Sequence, residues 1–412
     1  MNALRLSRRG LLGGAAALGA GLLGARLGFA AEPNGPPPVV VCVFLRGAVD
    51  GLSMVVPHAE PAYYRLRRGI AVPRPGEPHG AIDLDGRFGL HPRLEPLKAA
   101  FDAKELAVIQ AVGSPHRTRS HFEAQDYMQT GAVGDPTAAR GWLGRCLSAR
   151  AVESAALRAV ALSSFSPVAL RGYRDALVTE NLRDLRLSAG DDLEPVLTSG
   201  FRELYAVDTS RLAEQAGRRA LEASELVRRV LGKRRRSPGY QRDTQAFADV
   251  AKLIKADVGL TAAWIDLGGW DTHRRQGSTD NGELPRKLDH LGRALAAFRA
   301  DLGPVFERVV VLVMSEFGRT ARENGTGGTD HGHGNVMLVL GGKVQGGRVL
   351  GDFPGLAPEQ LHEGRDVPVT TDFRDVLAEL CELHLQLPDA SVLFPRFELD
   401  RRRRLGFLPQ PI

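Results

Sequence analysis

Residues 309–342 read VVVLVMSEFGRTARENGTGGTDHGHGNVMLVLGG, two apolar runs around a polar, glycine-rich connection. The first run, Val309 to Met314, is short and β-branched, the pattern of a strand buried on both faces, and it stops abruptly at Ser315 and Glu316. Val336 to Leu340 has the same character. Between them fall Glu316, Arg319, Asp330, His331 and His333, and glycines at 325, 327, 328, 332 and 334 let the backbone fold tightly enough for carboxylates and imidazoles to converge. A hard or borderline metal ion needs such a convergence. Taken singly, a loop histidine is ordinarily just solvated or hydrogen-bonded; Asp-His-Gly-His beside a buried strand end is harder to explain that way.

Working outward, three more apolar runs end in chemistry-bearing residues. Val39 to Leu45 gives way to Arg46-Gly47-Ala48-Val49-Asp50, which makes Asp50 either a ligand carboxylate at the edge of a doubly wound sheet or a cap for the next turn. Leu106 to Val112 leads to Ser120 and Glu123, spaced as a capping box, so Ser120 opens a helix. A hydroxyl there lies in a positive field that suits attack on a phosphate or sulfate, although capping alone explains the spacing. Ala262 to Leu267 precedes Gly-Gly-Trp-Asp-Thr-His at 268–273, and in an extended backbone Asp271 and His273 point the same way.

The remaining chain bounds the class. With 412 residues, 43% hydrophobic and 25% charged, it is long enough for a large core and has the composition of a globular protein. Ser7-Arg8-Arg9 followed by a Gly/Ala/Leu run to Ala25, then Gly28-Phe29-Ala30, has the form of a twin-arginine signal peptide over residues 1–30, with a linker over 31–38. That predicts export to the periplasm by the twin-arginine translocase and no permanent membrane span. Subtracting the segment's four arginines from the formal +6 leaves +2, and the basic runs at Lys233 to Arg236 and Arg401 to Arg404 lack interleaved aromatics, so nucleic acid is not expected. Three widely spaced cysteines without a CxxC pair predict buried thiols rather than a thiolate zinc site. Residues 139–255 read as mostly helical, with one strand-like segment at Leu157 to Leu162 and a helical insertion or cover over about 175–255. Thr370 or Thr371 is the expected cap of the helix that follows Asp372.

The signal, the segment Phe44 to Leu52, Gly-Gly-Trp-Asp-Thr-His at 268–273, Ser-Glu-Phe-Gly-Arg-Thr at 315–320 and Gly-Thr-Asp-His-Gly-His-Gly at 328–334 together resemble an uncharacterised family of twin-arginine-exported proteins, domain of unknown function fifteen-hundred-and-one. That family is itself similar to the alkaline phosphatase and sulfatase superfamily. The resemblance implies an α/β/α sandwich over 39–412 with metal at the strand carboxyl ends. It implies Asp50, Asp271, His273, Glu316, Asp330, His331 and His333 as metal ligands, with Phe317 standing where the superfamily has a histidine. It further implies Ser120 as the nucleophile. His121, next to it, is placed in the catalytic set, and Arg46 or Arg319 is available to grip the substrate's remaining oxygens.

The expected function is an exported metal-dependent hydrolase of a small anionic ester, phosphate or sulfate. Zinc best suits the mixed Asp/His set, calcium and manganese remaining open, and two ions roughly 3.5–4 Å apart fit the ligand count. The alternative is a non-catalytic exported binding or assembly protein that keeps the same sheet. A metal-free serine hydrolase and a zinc peptidase are disfavoured, because Gly-x-Ser-x-Gly and His-Glu-x-x-His are both absent.

Overall fold

A computed structural model describes residues 35–150, 157–185, 199, 212–232, 237 and 239–410. The expected signal segment and the basic run at 233–236 lie outside the described residues. From Pro37 onward the chain forms one compact unit.

Its centre is a nine-stranded sheet: β1 (Val39–Leu45), β2 (Leu106–Gly113), β3 (Ala159–Leu162), β4 (Ala176–Thr179), β5 (Ala262–Leu267), β6 (Val309–Met314), β7 (Asn335–Gly341), β8 (Arg348–Leu350) and β9 (Thr371–Asp372). The spatial order is β8-β2-β7-β6-β1-β5-β3-β4, with β9 also on β2. Central β1 pairs in parallel with both β5 and β6. Its near-continuous apolar sequence follows from burial on both sides. Val39, Val41, Val43 and Leu45 enter one core, and Val40, Cys42 and Phe44 enter the other.

Helices cover both faces and make three layers. Phe247, Val250, Leu253 and Ile254 of α4 (Gln245–Lys255), together with the apolar stripe of α5 (Glu283–Leu302), fill the first core, onto which α3 (Leu212–Leu231) also packs Val227 and Leu231. In the second core lie Met128 of α1 (His121–Thr130), Trp142 and Leu143 of α2 (Trp142–Ala149), and Phe373 and Val376 of α6 (Phe373–Glu379). The helices expected over 175–255 are therefore part of the sandwich, and β4, a half-buried four-residue edge strand in that region, is an element the helical reading did not anticipate. Among the described residues no helix is long and apolar enough to cross a membrane. All three cysteines are buried and unpaired.

One strand direction matters for the site. β7 runs antiparallel to both of its neighbours, β6 and β2. The connection over 315–334 therefore leaves and re-enters the sheet at the same edge, where the parallel strands β1, β2 and β5 also end, and both of its ends are held beside their loops. At the far end of the chain α6 is capped by Asp372, whose carboxylate accepts the Arg374 N–H at 2.9 Å, rather than by the threonines before it.

Two buried histidines make acid stability predictable. His384 meets the Val39 carbonyl through Nε2 at 2.9 Å, and His91 meets the Ser278 carbonyl through Nε2 at 2.7 Å while its Nδ1 accepts the Arg93 N–H. Burial pushes both down to about 4. Between the ordinary histidine value near 6.5 and that lower value the unfolded chain binds protons that the folded chain refuses. Stability is therefore expected to fall as pH drops through this window, by up to about 3 kcal/mol per histidine. Urea midpoints at about pH 7 and about pH 4.5 measure the loss, and His384→Phe is expected to shrink it.

Candidate metal centre

The centre is assembled from three loops at that common sheet edge. α1 starts after β2 and presents His121 from its first turn; the loop after β5 presents Asp271 and His273; the 315–334 connection presents His331. Close backbone approach brings them together. A Cβ on Gly328 would stand 2.4 Å from the His273 carbonyl oxygen, and one on Gly332 would stand 2.4 Å from the Arg319 carbonyl carbon, so these crossings admit only glycine. Within the connection Arg319 and His331 pair as an antiparallel bridge, and the Gly332 N–H donates to the Gly318 carbonyl at 2.8 Å.

The imidazole nitrogens converge closely. His331 Nε2 lies 2.9 Å from His273 Nε2, 3.0 Å from His121 Nε2 and 3.3 Å from Asp271 Oδ1. Asp271 Oδ2 lies 3.5 Å from His121 Nε2, and its Oδ1 lies 3.1 Å from His273 Nε2. One ligand atom each from His121, Asp271 and His331 falls within 4.8 Å of the others.

The opposite nitrogen of each ring fixes its tautomer. His121 Nδ1 is 2.8 Å from Glu316 Oε1, His273 Nδ1 is 3.1 Å from Asp330 Oδ1, and His331 Nδ1 is 2.9 Å from the Arg119 carbonyl. Carboxylates and carbonyls only accept, so each Nδ1 carries a proton and each Nε2 faces inward, free to offer a lone pair to a cation. Three lone pairs and a carboxylate facing one another at such separations repel unless a cation lies between them, a proton in the metal-free protein or a metal ion in the loaded one. Tetrahedral zinc with bonds of about 2.0–2.1 Å needs donors roughly 3.3 Å apart, and the 3.0, 3.3 and 3.5 Å separations among His121, His331 and Asp271 are of that size, with His273 on the far side of His331. Ring nitrogens oriented by carboxylates and a backbone carbonyl are the usual outer layer of a histidine metal site.

Electrostatics hold the carboxylates ionised. Burial works to raise the Glu316 carboxyl, but hydrogen bonds from His121, Gln125 and the Gly47 N–H outweigh it and hold it below the ordinary glutamate value. Asp271 is likewise lowered against its burial, by the hydrogen bond and charge of Arg319. Asn324 donates to Asp330 at 3.1 Å and, with His273, lowers it. His331 is pushed down by burial and then by His121, which keeps it neutral and ready to ligate. Phe317, at the position where a ligand histidine is expected, stacks on the His121 ring at 5.0 Å and meets the His331 ring at a tilt, 5.1 Å away.

Several expected roles are corrected. Asp50 is wholly buried and bound by Arg67, Ser53 and Gln276, so it is one half of a core ion pair and not a ligand. His333 is not in the cluster: its ring stacks on His362, 4.4 Å away. Glu316 and Asp330 orient histidines and do not reach the centre with their own free oxygens. His121, expected in the catalytic set, is a donor of the cluster. Among the described residues, His121, Asp271 and His331 form the group whose ligand atoms all lie close together. Arg319 is buried against the carbonyls of Gly47, Ala48 and Thr329 and against Asp271, which locks a ligand and leaves no free face for substrate. Arg46 pairs with Asp266 at 2.9 Å and donates to Gln125 at 2.6 Å. Ser120 is the N-cap residue of α1, but its side chain makes no cap bond; Thr118 Oγ1 accepts the Ser120 N–H and donates to Glu123.

Gln125, Asn324 and Asp266 were missed. Gln125 was legible, since it stands four residues after His121 on the same helical face. The network predicts that Glu316→Gln weakens metal binding about 10- to 100-fold while leaving every ligand in place, a change that competition with a chromogenic chelator measures.

Comparison with solved structures finds likenesses at low identity. The chain is similar to the C-terminal periplasmic domain of EcEptC from Escherichia coli in complex with Zn, at 11% identity over 75% of this chain and 74% of that one, with a TM-score of 0.34. It is similar to a protein in the alkaline phosphatase superfamily from Vibrio parahaemolyticus, at 10% identity over 74% of this chain and 60% of that one, with a TM-score of 0.33. It is also similar to alkaline phosphatase from the Antarctic bacterium TAB5, at 11% identity over 74% of this chain and 90% of that one, with a TM-score of 0.28. No curated protein matches the sequence. The family model described as "Protein of unknown function (DUF1501)" matches residues 100–393, a span that carries all four cluster residues, and the chain belongs to that family.

Proposed function

We propose that the protein is an exported, single-metal hydrolase of phosphate or sulfate esters, with His121, Asp271 and His331 holding the ion and His273 packed beside them, zinc best suiting the donors. The observation that carries the reading is the inward convergence of three tautomer-fixed Nε2 atoms on the Asp271 carboxylate. The cluster is only partly covered, His121 and His331 at 23% and 24% exposure and His273 and Asp271 at 39% and 42%. A structural zinc site is closed by protein, whereas a half-open one leaves a position for water or substrate. A metal held there would polarise an ester oxygen and lower the pKa of bound water.

The chain's own residues supply the rest. Arg319 fixes the Asp271 carboxylate, and Glu316 and Asp330 fix two rings. Ser120 brings a hydroxyl unused for capping to the amino terminus of α1, one residue before a metal donor, where the helix field favours an anion. Water adds across the ester bond, giving the alcohol and inorganic phosphate or sulfate.

A second reading, a non-catalytic metal-binding or assembly protein, is favoured by Arg46 and Arg319, since both expected substrate contacts are taken by protein groups. Elemental analysis of the purified chain with aryl phosphate and aryl sulfate assays separates the two. Hydrolysis is expected with about one metal per chain and lost in Ser120→Ala. Stoichiometric metal with no turnover of either ester would instead establish the binding protein.

A further inference from the structure

Beside the metal cluster lies a cleft of about 590 Å³, large enough for a sugar-sized group. Four arginines line it, Arg65, Arg68, Arg322 and Arg365, against two acids, Glu323 and Asp330. Both acids already have partners. Glu323 accepts the Gly69 and Ile70 N–H groups at 2.8 and 3.1 Å, and Asp330 holds His273 and Asn324. Arg365 donates to the His331 carbonyl at 2.7 Å. Arg65, Arg68 and Arg322 are exposed and have no carboxylate partner among the described residues. Four arginines against two acids leave the cleft with a formal excess of two positive charges, three of its guanidiniums are free to turn toward a ligand, and planar guanidinium forks suit tetrahedral oxyanions.

The cleft also adjoins the chemistry. Asp330 lines it and orients His273, while Arg365 lines it and braces the His331 backbone, so the two sites share a wall. Its floor includes Leu66, Leu356 and Leu361, which accommodate a carbon skeleton, and no aromatic lines it. Single-stranded nucleic acid binds through aromatic stacking, which this wall lacks.

We propose that this cleft is a subsite for further anionic groups of the substrate, which makes the substrate class a polyanionic ester bearing several sulfates or phosphates on one small skeleton. This rests on the hydrolase reading for the role of the bound molecule, but not for its binding. Inositol hexasulfate is the primary probe, titrated into the metal-loaded chain by calorimetry at several salt concentrations. It is expected to bind at least about tenfold more tightly than inorganic sulfate, and more weakly as salt rises. The triple variant Arg65→Ala/Arg68→Ala/Arg322→Ala is expected to lose about tenfold or more in affinity with its thermal midpoint unchanged. His331→Ala is expected to keep the arginine-dependent part of the binding, and on that chain inositol hexakisphosphate, free of competition for metal, ranks phosphate against sulfate. Equal hexasulfate affinity in a folded triple variant overturns the subsite, as does loss of binding in His331→Ala or tighter binding of a single-stranded DNA oligomer. Arginine-dependent binding without hydrolysis of any ester leaves the subsite standing and removes the hydrolase reading alone.

Discussion

His331→Ala is expected to leave the purified protein with less than about a tenth of a metal ion per chain, where wild type holds about one. The reason is position: His331 Nε2 is the atom nearest to the other two imidazole nitrogens and is also within 3.3 Å of Asp271, so its removal opens the middle of the donor set. Losing one protein donor from a zinc site is expected to weaken binding by about two to three orders of magnitude or more. Stability separates this from a folding defect. Metal binding stabilises only the native state, so a chelator is expected to lower the thermal midpoint of wild type and leave that of His331→Ala where it was. Without metal the two proteins should differ by about 1 kcal/mol at most, because the variant loses the hydrogen bond to the Arg119 carbonyl but sheds a lone pair from a crowded cluster. A variant that keeps stoichiometric metal would show that the ion sits elsewhere.

Part of this centre was legible in the sequence. Apolar runs that stop at Leu267, shortly before Asp271, and at Met314, before the loop that carries Asp330 and His331, identify strand ends, and the glycines at 328 and 332 mark where the loops pack backbone to backbone. His121 was visible beside Ser120, but adjacency in sequence says nothing of which ring nitrogen faces the cluster. Strand direction was not legible. Val336 to Leu340 is as apolar as a parallel strand would be because both faces are covered, and an apolar run carries no sign of polarity. The pattern also fails for Asp50, whose setting after β1 matches that of a ligand, because only the fold shows which counter-charge fills the space beside it.

That counter-charge sets the second large expectation, a loss of roughly 3–5 kcal/mol of stability in Asp50→Asn with metal content unchanged in the folded fraction. Arg67 and Asp50 are both fully buried. The carboxylate takes Arg67 Nη1 at 2.5 Å and Nη2 at 3.0 Å, Ser53 Oγ at 2.9 Å and Gln276 Nε2 at 2.5 Å. Neutralising it strands a guanidinium in the core. The rest of that guanidinium tethers the site connection, since Nε donates to the Ala321 carbonyl and Nη2 to the Thr320 carbonyl, each at 2.9 Å. Replacing both partners by apolar residues, Asp50→Leu with Arg67→Met, is therefore expected to recover only part of the loss: the stranded charge is gone, but two buried carbonyls lose their donor. Acid gives an independent sign. Burial alone would raise Asp50, yet Arg67, Gln276 and Ser53 hold it below its ordinary 3.8. Its contribution is thus complete above that value and lost as pH falls below it through the folded pKa, so wild type should show a steep loss there that Asp50→Asn lacks. Urea midpoints with an unchanged m-value measure the first effect, and the same titration in acid measures the second. An Asp50→Asn protein of wild-type stability that has lost its metal would return Asp50 to the ligand set and undo the single-ion assignment.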